Sequence, residues 1–163
     1  MRTTPILEAI AAIAKKPLAT ASKENRSAFS GLKEHILIVD DEHMIVQTGK
    51  EMLESLGYRV TTRTNSREAL ETVRQQPEIF DLVITDFVMP QMNGLELARE
   101  LMQLRPDLPI ILFTGFSKAI SADNAREMGL ADYLIKPVRV AELHQAVRRA
   151  LDAKVAGTEA IGG

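Results

Sequence analysis

At 163 residues, with 45% hydrophobic and 26% charged side chains, the chain suits one domain large enough to bury a real core. It has no Cys, no Trp and only 4% aromatic residues. That excludes disulfides, thiolate catalysis and zinc-thiolate sites, and argues against a surface that stacks nucleic-acid bases. The net charge of −2 hides an asymmetry: residues 1–35 carry more Lys and Arg than acids, whereas 36–152 carry more acids than bases. An acidic globular part suits a cation or a basic partner face better than a phosphate backbone.

In chain order, Ile6, Leu7, Ile10 and Ile13 could share one face of a short amphipathic helix, able to dock or dimerise, and a Lys/Ser/Asn-rich stretch follows. Residues 1–34 therefore read as an extension or linker, since a helix under about 12–15 residues is marginal alone. No apolar run approaches the roughly 18 residues needed to span a membrane. The first apolar patch carries Glu8 and ends in Lys15-Lys16, unlike a secretory signal. A cytoplasmic protein without membrane contact is expected.

From Ile36 the pattern changes. Ile36–Val39, Leu82–Thr85 and Ile110–Phe113 are short apolar runs without alternation, as in strands covered on both faces. Tyr58–Thr62 and Tyr133–Ile135 are weaker strands. Between them lie helical patterns: Met44 to Leu56, ended by Gly57; Ser66 to Gln75, opening on Ser66; Leu95 to Leu104, stopped before Pro106; Ala122 to Met128, before Gly129; and Ala141 to Leu151. Strand and helix alternate five times, which predicts crossover units, a parallel sheet and an α/β sandwich over residues 35–153. Residues 154–163 are expected to form a disordered tail.

The chemistry collects at the strand ends. In the stretch HILIVDDEH the first strand runs into Asp40, Asp41 and Glu42. Two unit charges about 4 Å apart repel by roughly 4 kcal/mol at an effective dielectric near 20, so something must offset them or they must point apart. The third strand ends at Asp86, the fourth at Thr114, the fifth at Lys136-Pro137. In open α/β sheets these carboxyl ends share one edge. Three carboxylates suit a hard cation, Mg²⁺ above all. A carboxylate can also act as nucleophile and form an aspartyl phosphate, with a Lys and a Thr beside it to hold phosphoryl oxygens. Taken singly, each residue could be a turn or a helix cap; five successive strand ends together favour a site. His35, His43 and His144 are scattered without metal-ligand spacing and read as surface residues.

These residues resemble response-regulator receiver domains of two-component signalling, over about residues 35–152. The resemblance rests on Asp40-Asp41, on Asp86 in LVITDFVMPQMNG, on Thr114 in ILFTG and on Lys136-Pro137 in DYLIKP. It implies a flavodoxin-like three-layer sandwich, a five-stranded parallel sheet in order 2-1-3-4-5 with five helices. Asp86 would be the phosphoacceptor, served by a histidine kinase or a histidine phosphotransfer protein in a bacterial cytoplasm. Asp41, Asp86 and the Val88 backbone carbonyl would bind Mg²⁺ (or Mn²⁺) directly, and Asp40 through water. Lys136 and Thr114 would hold the phosphoryl oxygens. The Lys136–Pro137 bond would be cis, and Thr114 and Tyr133 would switch together. The altered face, around the fourth helix, the fifth strand and the fifth helix, would meet an unidentified downstream protein or a second copy in a phosphorylation-dependent homodimer. Such a domain catalyses only its own phosphotransfer and dephosphorylation, and contacts neither nucleic acid nor membrane.

Two positions depart from the pattern: Val88 and Phe116 are apolar where receivers often carry polar residues, which implies a longer-lived phosphorylated state. About ten residues follow the last expected helix, too few for an output module, so the chain reads as a single-domain regulator or as a receiver from a hybrid histidine kinase. One alternative is a pseudo-receiver that only binds proteins, although such domains usually lack an acid or the Lys. A haloacid-dehalogenase-type phosphohydrolase would need Asp-x-Asp where Asp40-Asp41-Glu42 stands.

Overall fold

The computed structural model of the protein describes residues 34–115 and 120–162. Five parallel strands, β1 (His35–Val39), β2 (Arg59–Arg63), β3 (Leu82–Asp86), β4 (Ile110–Thr114) and β5 (Asp132–Ile135), form one sheet in the order β2-β1-β3-β4-β5. Every residue of β3 and β4 is buried, as continuous apolar runs require once helices cover both faces. The strand order reverses between β1 and β3, which register from Ile36↔Leu82 to Val39↔Thr85. That reversal opens a crevice beyond the carboxyl ends of these two strands, where ligands gather in such sheets.

Helices α1 (His43–Ser55) and α5 (Val140–Gly162) cover one face. Val46 and Leu53 of α1 and Leu143, Ala146, Val147, Ala150 and Leu151 of α5 pack there on Ile36, Ile38, Ile84 and Ile111. Helices α2 (Ser66–Gln75), α3 (Gly94–Leu104) and α4 (Ala122–Glu127) cover the other, with Ala69, Leu70, Val73, Leu97, Ala98, Leu101 and Ala125 against Leu37, Val39, Val83 and Leu112. The side chains alternate between the two layers along each strand, so a one-residue slip would exchange them.

The local signals explain most boundaries. Asn93 and Glu96 form a reciprocal capping box at the start of α3, with both backbone–side-chain bonds at 2.9 Å. Gly57, at φ 98°, takes the left-handed conformation that ends α1. Helix α2 opens on Ser66 as expected, capped by Asn65, which accepts from the Arg67 and Glu68 amides. Ser66, one position inside, turns its hydroxyl elsewhere. Residues 154–162 are not a disordered tail, because α5 continues through Gly162. Extending a formed helix avoids the nucleation cost, and the lone Gly157 costs only about 1 kcal/mol. The amphipathic stretch at Ile6–Ile13 lies outside the described residues, as does Phe116.

Candidate functional site

Asp40 follows β1 directly and is 1% exposed; Asp86, the last residue of β3, is 8% exposed. Both are held by one cation. The Lys136 Nζ, from the loop after β5, donates to Asp40 Oδ2 at 2.7 Å and lies 3.0 Å from Asp86 Oδ1. The other oxygen of Asp40 accepts the Glu42 amide at 2.9 Å. This bond serves the start of α1, where the Glu42 side chain makes no cap. Asp41 is exposed. One carboxylate oxygen from each of Asp40, Asp41 and Asp86 nevertheless lies within 4.8 Å of the others, a group of the size that holds a metal ion.

The electrostatics are unbalanced. Burial pushes the Asp86 carboxyl above its usual range; the Lys136 hydrogen bond pulls it down, and the Asp40 charge pushes it up again. Burial acts to lower the Lys136 ammonium, but its hydrogen bonds to Asp40 and Asp86 outweigh that and raise it. One positive charge faces three carboxylates. The donor set fits a hard divalent cation, since it offers oxygens only and charge left to neutralise.

The remaining expected residues occupy defined places. Thr114 ends β4, buried, one residue past Phe113, which registers with Asp86. Its carbonyl accepts the Lys136 amide at 2.8 Å. The Lys136–Pro137 peptide is cis. Val88, two residues past Asp86, is 65% exposed. Tyr133 is half-buried on β5, on the layer formed by α2, α3 and α4, and lines a small cavity with Ala125, Arg126 and Leu130. The structure thus brings Asp40, Asp41, Asp86 and Lys136 together, with Thr114 on the adjoining strand end and Tyr133 further along the sheet.

Two supports were not read from the sequence. The Ser66 hydroxyl donates to the Met92 carbonyl at 2.7 Å, fixing the loop that follows Asp86. A serine at a helix start carries no sign of that partner. Gly94 approaches the backbone of Asp86 so closely that a Cβ would run into the Asp86 carbonyl, while its amide donates to the Phe87 carbonyl at 2.7 Å. The fixed spacing from Asp86 to Met89-Pro90 and Gly94 has this steric cause. The histidine expectation holds for His43 and His144, which are exposed, but not for His35. Its ring lies against Phe80, with centroids 4.8 Å apart, and its Nε2 meets Thr61 Oγ1 at 2.7 Å.

A doubly wound sheet with a carboxylate cluster and a lysine at its switch point defines a class of α/β domain with an acidic site at its strand ends, and comparison with known proteins narrows it. The model of the response regulator receiver domain matches residues 36–148, and the chain belongs to that family. It is 36% identical to the transcriptional regulatory protein ZraR of Klebsiella oxytoca over 122 residues, 75% of this chain and 27% of that protein. The chain therefore spans about a quarter of that relative's length. A response regulator receiver domain protein from Clostridium thermocellum superposes with a TM-score of 0.71 at 34% identity, covering 76% of this chain and 98% of that one. The response regulator TrrA from Thermotoga maritima, solved in complex with Mg²⁺ and BeF, gives 0.65 at 36% identity, covering 72% and 99%. This is a receiver of two-component signalling with the flavodoxin-like fold. No helix among the described residues is long and apolar enough to cross a membrane.

Proposed function

We propose that Asp86 accepts a phosphoryl group from a phosphohistidine on a partner kinase or phosphotransfer protein, in a Mg²⁺-dependent reaction. The observation that carries this is the single Lys136 ammonium shared by two buried carboxylates, Asp40 and Asp86, with Asp41 beside them. An Asp86 oxygen attacks phosphorus and the P–N bond breaks with its electron pair going to nitrogen; the phosphohistidine ring, protonated on its other nitrogen, therefore leaves as neutral imidazole. The product on this chain is an acyl phosphate. Asp41, Asp86 and the Val88 carbonyl would hold Mg²⁺ directly and Asp40 through water; bound there, the ion supplies positive charge to the carboxylates and to the phosphoryl oxygens. Lys136 leaves its carboxylate partner for a phosphoryl oxygen, and the Thr114 hydroxyl takes another. Thr114 and Tyr133 then shift the face formed by α4, β5 and α5, a two-state element biased by a local charge. No separate small-molecule substrate is required.

The test is the intact mass after incubation with acetyl phosphate, with and without Mg²⁺, beside Asp86→Asn. The expected result is a Mg²⁺-dependent gain of one phosphoryl group that the variant loses. No gain, under conditions in which a known receiver gains one, would leave a protein-binding module.

A further inference from the structure

Beside the acid cluster, between α1 and α5, lies an apolar cavity of about 480 Å³. Met44, Ile45 and Met52 of α1, Phe113 of β4, Val138 of the loop before α5 and Leu143 in its first turn line it, together with Lys136, whose ammonium bonds the acids. Met44 at its mouth is 75% exposed. A cavity this apolar at a surface calls for an apolar occupant.

The chain itself carries one. Thirty-three residues precede Glu34, and Glu34 leaves β1 on the same face of the sheet, tied to α5 by Arg148 at 2.9 Å. Ile6, Leu7, Ile10 and Ile13 repeat at helical spacing, the pattern by which an amphipathic helix fills a groove. Lys15 and Lys16 follow directly, while Asp41 and Glu42 stand exposed at the start of α1; the charges are complementary. Reach is ample: residues 14–33 connect the segment to Glu34, and a chain of that length can extend to at most roughly 66 Å, against about 17 Å for the five residues of β1.

We infer that residues 6–13 dock in cis into the cavity between α1 and α5, as a tethered occupant beside Lys136. A short tether gives an effective concentration of about 1 mM, so a segment with an affinity of only about 0.1 mM would be docked roughly ten times as often as free.

The absence of Cys makes the test direct. In the full chain, Thr48→Cys places a single thiol on the cavity wall, and Gln103→Cys places one on α3, on the opposite layer. Maleimide labelling of each is compared with and without Ile6→Asp/Ile10→Asp. Labelling at 48 should be about tenfold slower with the natural segment, with no change at 103. Equal rates at 48 would overturn the inference. So would protection that grows with protein concentration, which would assign the cavity to a second copy. The assay contains neither phosphoryl donor nor Mg²⁺, so its failure and the failure of the phosphoacceptor reading are separate events.

Discussion

At the rim where the strands begin, Arg148 donates to both Glu34 oxygens, to Asp152 at 2.8 Å and to the Tyr58 hydroxyl at 3.4 Å. At the rim where they end, Lys136 alone answers Asp40 and Asp86, with Asp41 alongside. The ingredients are alike, but the donors are not. A guanidinium presents five N–H groups in a fixed fork and can satisfy several acceptors at once. An ammonium is a point charge, readily redirected from one oxygen to another. The first rim is built to stay closed. The second is left short of positive charge, which costs stability and leaves room for a divalent cation.

Four measurements would break or sharpen this contrast. The largest effect is expected from Lys136→Met, which should slow phosphorylation by acetyl phosphate by roughly 10²–10³-fold, the usual loss when one preorganised positive donor is removed. A loss under threefold would make the ammonium a mere counterion. Next, Mg²⁺ at a hundred times its dissociation constant should stabilise the chain by about 2.7 kcal/mol in urea titrations, and Asp41→Asn far less. An equal gain in both would place the ion elsewhere.

Arg148→Ala should cost about 2 kcal/mol of stability, given its several charged partners and partial exposure, yet leave phosphorylation intact. If phosphorylation collapses too, the two rims are not independent. The smallest effect concerns His35, whose burial, with the nearby Arg59 charge, holds its imidazole below the ordinary value. A depressed folded value contributes stability that is present above the unfolded value of about 6.5 and is lost as pH falls through the folded one. The urea midpoint should therefore fall on acidification below about pH 6.5, and less steeply in His35→Gln. A parallel fall in both would assign the slope to another group.

The contrast also explains what the sequence disclosed. The site rim was legible because each of its residues terminates a recognisable apolar run, and parallel strands bring their ends to one edge whatever lies between. The opposite rim was not legible. Glu34 and Arg148 are 114 residues apart, and no spacing rule links a carboxylate before a strand to an arginine midway along the last helix. The start of α2 at Ser66 was legible, but the bond of the Ser66 hydroxyl to the Met92 carbonyl, 26 residues on, was not. The continuation of α5 was missed for a related reason. A weak run such as Ala153 to Glu159 has no helix signal of its own and inherits its conformation from the turns before it.

That continuation gives α5 the proportions of a lever. Leu151 is the last of its described side chains in the core, and the helix runs on to Gly162, about 16 Å further at 1.5 Å per residue. A tilt of about 10° at the sheet, too small to disturb the packing of Leu143 or Val147 much, would sweep the far end through roughly 3 Å. A tilt set at the sheet is thus magnified with distance along the helix, whatever produces it.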